Sequence, residues 1–570
     1  MRNRAKIYVA LIALIMVLLF INVNGIGGAF DIKAANDYIV DENEWNQIIA
    51  DSINDKTIKI QVDGKAVSEK DCSAYMNGKR QLMIAADSLT DVFQCAFRFY
   101  GEKKAVIEKG ETKIVATLGS SYAEIDDAVV TMSSKVENVD GNIYIPVDIL
   151  TTGLGYTYTF DVQNNEAVFI NTRSNEKSIP GKYDYRTDGR MSSIKNQGNH
   201  STCWAFASLA ALESSILPDM ERDYSEKNMT LNSGYLVSLF SGGDYTMAMS
   251  YLAAWRGPIL EEYEEGYGAY ETPVDIKPDV HVQEIQIIKG KDLDAVKKAV
   301  FLYGGVETSI YMAIDAKNLD SYYYNKDNSA YCYVGIERPN HDVVIIGWDD
   351  NYAKENFNYE PEGNGAFICQ NSWGEEFGEE GVFYVSYYDS NIAMNSLVYT
   401  GVEPNDNYDN IYQSDLCGFV GQLGYENEEA YFANVYTAAG NENLQAVSFY
   451  ATDKNTEYEI YLVEDFKEAS DLNNRYFVQK GAFVNAGYYT VNLDRAIHLE
   501  AGKKYAVVVK IKTPNAKRPI AIEYPASYET SNVDISDGEG YISYLGRQWE
   551  RAEETQGCNI CLKMFTNNID

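Results

Sequence analysis

Cys203, His341 and Asn371 stand in that order along a chain of 570 residues, each inside a short patterned run. The first run is Gln197-Gly198-Asn199-His200-Ser201-Thr202-Cys203-Trp204-Ala205-Phe206. The second is Asn340-His341-Asp342-Val343-Val344, and the third Asn371-Ser372-Trp373-Gly374. A thiol, an imidazole and an amide are the parts of an acyl-transfer site. Only the thiolate is a strong nucleophile, so the cysteine needs a base or cation beside it and a helix N-terminus that favours its charge. The residues after Cys203 predict that helix. Ala205, Leu209, Leu212 and Ile216 recur at helical spacing, and Pro218 ends the run. Ser201 and Thr202 are its candidate caps.

Each role follows from chemistry. Cys203 is the candidate nucleophile; His341 would take its proton and later protonate the leaving amine. Asn371 would hold the imidazole by accepting a hydrogen bond from its other ring nitrogen, work that a carboxylate does in serine triads. Gln197, through its side-chain amide, would join the Cys203 backbone N–H in stabilising the oxyanion. Singly, each residue has a plainer reading: a cysteine at a helix start is usually a small buried hydrophobe, and a histidine beside Val343, Val344, Ile345 and Ile346 a packed strand-end residue. The ordered set favours catalysis. His200 immediately precedes the site but has no local partner that marks a base, and His281 and His498 lack company.

Together these runs resemble the papain family of cysteine proteases, over residues 180–400. In that family His and Asn follow the Cys by about 130–150 residues. Here His341 falls within that range and Asn371 slightly beyond it, a surplus that fits an insertion in the polar stretch 351–365. Pro180 with Tyr183-Asp184-Tyr185-Arg186 resembles the start of the mature enzymes. Gln197 sits where the family places its oxyanion-hole glutamine, and Asn371-Ser372-Trp373-Gly374 with Gly378 and Gly381 resembles the asparagine segment. Two departures stand out. His200-Ser201-Thr202-Cys203-Trp204 replaces the usual Cys-Gly-Ser-Cys-Trp, which removes a disulfide of the animal and plant enzymes, and Phe377 replaces a second Trp. Neither touches a catalytic side chain; both suggest a divergent bacterial-type member. The resemblance implies a two-lobed peptidase, one lobe helical and one β-barrel-like. It implies hydrolysis through a Cys-His-Asn site and a thioester acyl-enzyme, with no cofactor and no metal.

Length bounds the rest. A chain this long suggests about three or four domains, and a hydrophobic share of 45% is that of a globular protein. A net charge of −36 argues against nucleic-acid binding and against an electrostatic hold on anionic membranes or wall polymers. A basic start over 1–6 and an apolar run over 7–23 have the layout of a secretory signal. Ala29, Ala34 and Ala35 are candidate cleavage points, so the expected mature form is extracellular, with no lipid membrane. Of eight cysteines, removing Cys203 leaves an odd number, so at least one more stays unpaired within the chain. Cys558-Asn559-Ile560-Cys561 has metal-ligand spacing, but no second pair or His completes a site, and it reads as structural.

Flanking segments read as separate units. Over 55–172, short strands at 58–62, 104–107, 113–116, 142–146 and 167–170 alternate with helices predicted at 85–93 and 147–154. A helix followed by a strand hairpin occurs twice, an internal half-repeat. This segment resembles the copper amine oxidase N-terminal-like domain of exported bacterial proteins. It contains no His, so the usual imidazole ligands for copper are missing, and it reads as a stalk or docking module. The polar stretch 173–182 is the predicted linker. From 405 to 570, strands at 446–450, 457–463, 487–491, 505–511 and 520–524 predict an all-β sandwich resembling a lectin-like domain. The expected architecture is therefore α+β and multidomain. It comprises a signal peptide 1–35, linker 36–54, stalk domain 55–172, linker 173–182, papain-like peptidase 183–404 and lectin-like sandwich 405–570. Expected partners are protein or peptide substrates, with a glycan or cell-surface ligand implied for the last domain. The rival reading, a non-catalytic adhesion protein on a papain-like scaffold, predicts a missing catalytic side chain, and none is missing. A transglutaminase or amidase would most often carry Asp where this chain has Asn371.

Overall fold

In the computed structural model the residues described are 58–62, 65–68, 70–77, 81–100, 104–109, 112–125, 128–139, 142–161, 165–171, 179–187, 189–314, 317, 319–536 and 538–569. The predicted signal peptide, the linker before the stalk domain and most of the linker at 173–182 lie outside them. Apart from Met76 and Asn77, the described residues belong to one compact unit. Among them no helix is long and apolar enough to cross a membrane.

The first domain is built on the half-repeat. Strand Leu82–Ala85, a helical turn Ser88–Asp91 and the hairpin Ala96–Tyr100/Lys104–Lys109 form one copy. Strand Asn142–Pro146, the turn Ile149–Gly153 and the hairpin Tyr156–Asp161/Glu166–Asn171 form the other. The leading strands of the two copies pair antiparallel. The predicted helices at 85–93 and 147–154 shrink to the single turns Ser88–Asp91 and Ile149–Gly153; Ala85 belongs to the preceding strand, and Asp87 accepts from the Ser88 N–H at the start of the first turn. Arg98 donates to the Ser215 carbonyl (3.2 Å), and Lys298 pairs with Asp91. The domain thus meets the peptidase at the C-terminal end of helix Cys203–Ile216 and on helix Leu293–Leu302.

The peptidase begins where the predicted linker was expected to end. Lys182–Asp184 is a strand against His341–Asp349, and the Trp348 indole donates to the Pro180 carbonyl (2.8 Å). Residues 180–182 are therefore tied to the peptidase rather than free. One lobe holds helices Cys203–Ile216, Glu226–Leu231 and Tyr245–Ala253. The other is a sheet around the buried strand His341–Asp349, flanked by Val306–Ile310 on one side and Ala366–Gln370, then Val382–Ser386, on the other. Helix Cys203–Ile216 packs across this sheet, and both contribute to one apolar core.

The junction with the C-terminal domain departs from the sequence reading. Residues 395–407 were expected to be a short connection; instead Asn395–Pro404 is a ten-residue strand. It pairs with Val280–Lys289, which pairs in turn with Ala486–Leu499 of the C-terminal domain. One sheet therefore runs from the peptidase into the sandwich. The pattern Ser-Leu-Val-Tyr-Thr is strand-like in itself, but a partner more than a hundred positions upstream, as in Ile285↔Tyr399 and Val280↔Pro404, is invisible to local reading.

Candidate active site

Each sequence-predicted residue sits at an element boundary of this frame. Cys203 is the first residue of its helix, with Thr202 at the N-cap position. The predicted capping bond is absent: the Thr202 hydroxyl is buried without a partner, and no N-cap side chain bonds the first turn of the helix. An N-terminus left uncapped keeps its N–H groups and the positive end of the helix dipole for other acceptors. The backbone N–H groups of Trp204 and Asp342 face the Cys203 sulfur and favour its anionic form. The sulfur therefore lies against the peptide joining His341 to Asp342. Burial opposes ionisation and dominates, pushing the thiol up to about 12.

His341 opens the central strand, where Val343 to Ile346 are buried and fix its position. Its Nε2 lies 2.7 Å from Asn371 Oδ1. That oxygen also accepts from the Ser372 backbone N–H (2.8 Å), which sets the amide's orientation. An amide oxygen can only accept, so Nε2 carries the hydrogen and Nδ1 is the free base. Burial lowers the imidazole to about 4, with the Asn371 bond opposing the shift. The Trp373 ring lies 5.0 Å from the imidazole and shields this bond from water. Phe377, in place of the family's second Trp, packs edge-on against Trp373 at 5.0 Å and so keeps that shield in place. Gly374 turns the chain with φ +79°, and an added Cβ would come within 2.9 Å of the Asn196 amide.

Gln197 stands on the opposite wall. Its Nε2 donates to the His200 carbonyl (2.7 Å), and its Oε1 accepts from Ser372 Oγ (2.6 Å). An amide nitrogen has two hydrogens, so one remains for a substrate oxygen. His200 enters the site only through its carbonyl; its ring lies 5.1 Å from Phe240, without the partners of a base. His281 stacks on Trp255 and bonds Asn407, while His498 is exposed on a strand of the sandwich.

Sequence reading missed two supports. Ser372 ties Asn371's segment to Gln197, so the oxyanion and imidazole sides are braced together. Lys195 reaches Glu226 (2.8 Å), Asp223 (2.7 Å) and Glu213 (3.3 Å), the last on the nucleophile helix. The only hint was the proximity of Lys195 to Gln197 in sequence. All eight cysteines are free, further than the expectation of at least one unpaired, and among the described residues no His/Cys/Asp/Glu group is arranged to hold a metal.

Residues 179–402 match the family described as papain family cysteine protease, residues 411–566 a lectin like domain and residues 48–170 a copper amine oxidase N-terminal domain. The chain thus carries a papain-family cysteine peptidase domain set between these two modules. The cysteine protease and lectin-like domains of Cwp84, a surface layer associated protein of Clostridium difficile, match with TM-score 0.59 at 27% identity. That match covers 69% of this chain and 90% of that one. Clostridial Cwp84 after propeptide cleavage matches with TM-score 0.61 at 28% identity, covering 68% of this chain and 99% of that one. Among curated proteins, vignain of Ricinus communis is 26% identical over 216 residues, and a viral cathepsin of Spodoptera exigua nuclear polyhedrosis virus 26% over 214. The matched stretch is 36% of this chain in both cases, and 54% and 57% of those relatives, so the chain spans just over half their length.

Proposed function

We propose that this protein is an exported papain-like cysteine endopeptidase that hydrolyses peptide bonds through a thioester on Cys203. The observation that carries the reading is the His341–Asn371 bond, with Cys203 at the first position of its helix. His341 Nδ1 takes the thiol proton, the thiolate attacks the scissile carbonyl, and the imidazolium protonates the leaving amine. Water then cleaves the thioester with His341 again as base. The Gln197 amide and the Cys203 N–H receive the oxyanion in both steps. The domain limits proposed are 55–172, 183–404 and 405–570, behind a signal peptide at 1–35. Export is supported by the basic-then-apolar start and by likeness to a surface layer associated protein. A glycan or cell-surface ligand is the partner proposed for the lectin-like domain, and a glycan array on the full chain tests it.

Cleavage of a peptide library by the purified protein tests the activity and gives the side-chain preference. Gln197→Ala should lower kcat by about 10²–10³, the usual loss for one oxyanion donor. Steady-state kinetics would show it, and an unchanged kcat would remove Gln197 from the mechanism. Acid should also silence the enzyme. Once His341 carries its own proton it cannot accept one from Cys203, so the rate should fall as pH drops through about 4. A chelator in the same assays should leave the rate intact; loss restored by zinc would contradict a thiol mechanism.

A further inference from the structure

Behind the nucleophile lie two carboxyl groups that the proposed reaction does not use. Glu307 is 2% exposed and Asp342 8%. They occupy adjacent antiparallel strands, with Glu307 opposite Val344 and Asp342 opposite Ser309. Side chains alternate along a strand, so this register puts both carboxyls on one face at diagonal positions within mutual reach. Helix Cys203–Ile216 covers that face, and its Ser208 Oγ donates to Glu307 Oε2 (2.6 Å). Ser309 Oγ donates to Asp342 Oδ1 (2.5 Å). Glu307 Oε1 is buried without a partner.

Among the described residues no cation answers them. The titratable groups around the pair are Cys203 on the covering helix, His341 beside Asp342, Asp244 and Tyr245 at the start of helix Tyr245–Ala253, and Tyr399 on strand Asn395–Pro404. Lys195 lines the same small cavity as Asp342 but gives its ammonium to Glu213, Asp223 and Glu226. Among the described residues neither carboxyl forms an ion pair. Two neighbouring buried carboxyls without a counter-charge cannot both ionise cheaply. Burial, then the charge of Asp342, holds Glu307 protonated; burial, with Asp244 adding, raises Asp342 to about 6 against the Ser309 bond.

We propose that Asp342 is a positioning residue that sets the ionisation of Cys203, its carboxylate withdrawing support from the thiolate, with Glu307 kept beside it as a neutral acid. The inference rests on Cys203 being the nucleophile. Its physical link is short: the N–H of Asp342 faces the sulfur, and both carboxylates act to raise the thiol, whereas His341 is moved by burial and Asn371. A charge on Asp342 therefore weighs on the sulfur more than on the imidazole. The proton that left Cys203 Sγ for His341 Nδ1 is returned to sulfur, while the carboxyl's own proton goes to solvent.

The test is the rate of Cys203 alkylation by iodoacetamide against pH in the full chain. In the natural protein the rate should decline as pH rises through about 6 and recover in strong alkali as the thiol ionises by itself. Asp342→Asn should abolish the decline and raise the rate near neutrality, about tenfold for each unit the thiol falls. Glu307→Gln mimics the protonated acid and should keep the decline. Ser309→Ala, which removes the bond favouring the Asp342 carboxylate, should move it to higher pH; this variant serves if Asp342→Asn does not fold. A natural profile without the decline, or the same decline in Asp342→Asn, overturns the proposal. Cys203→Ala separates the two readings: persistent hydrolysis there defeats the nucleophile assignment, whereas its loss beside an unchanged Asp342→Asn profile defeats only the carboxyl pair.

Discussion

Cys203→Ala is expected to remove peptide hydrolysis and labelling by thiol reagents in a single step. Hydrolysis should fall to background because nothing else at the site can form the acyl-enzyme: Ser372 lies close, but its hydroxyl is given to Gln197. Labelling should vanish because the other seven cysteines are buried and Cys203 alone is partly open. Mass spectrometry of iodoacetamide-treated folded protein should find one modified site, and active-site titration should give one thiol per chain. The assignment fails if the variant retains hydrolysis. Labelling that survives while hydrolysis is lost would instead mean a second accessible thiol.

Much of the site was legible because its chemistry demands particular residue types at chain positions that short runs mark. Cys203 before an apolar helical repeat, His341 before an apolar strand and Asn371 before Ser-Trp-Gly are local patterns, and the fold brings His341 and Asn371 to 2.7 Å. What stayed hidden depends on pairing at a distance. The Thr202 hydroxyl reads as a cap from sequence, yet its burial leaves it unused. Glu307 lies in Gly304-Gly305-Val306-Glu307, where nothing marks the charge as buried; only the register with Asp342 does so. The stalk domain shows the same limit at the level of elements. Its repeat was visible, but each predicted helix closes only one turn, Ser88–Asp91 and Ile149–Gly153, before the chain turns into the following hairpin. The contacts of that domain also bear on latency. The Arg98 contact lies at the Ser215 end of a 14-residue helix that begins at Cys203, roughly 20 Å away at 1.5 Å per residue. At these contacts it braces the peptidase without reaching the nucleophile.

Removing residues 405–570 is expected to cost the peptidase its solubility or much of its thermal stability. The sandwich is joined by strand pairing as well as by chain connection: Glu284, Ile285, Gln286 and Ile287 pair with Tyr489, Tyr488, Gly487 and Ala486. Truncation would strip these backbone groups of their partners and leave an unprotected edge, which invites pairing with another chain. It would also uncover apolar surface, because Tyr450, Ala486, Tyr488, Ala521 and Cys561 belong to the peptidase's own core cluster. Each large buried side chain is worth about 1.5–3 kcal/mol. Each kcal/mol lost lowers Tm by about 2–4 °C in a domain of this size. A fall of at least about 10 °C follows, with aggregation on heating. Thermal melts and light scattering of the full chain and the truncated chain decide it, with far-UV circular dichroism to show whether the remnant is folded. A truncated protein that stays monomeric with an unchanged Tm would mean that the shared sheet contributes nothing, and that the sandwich is only tethered.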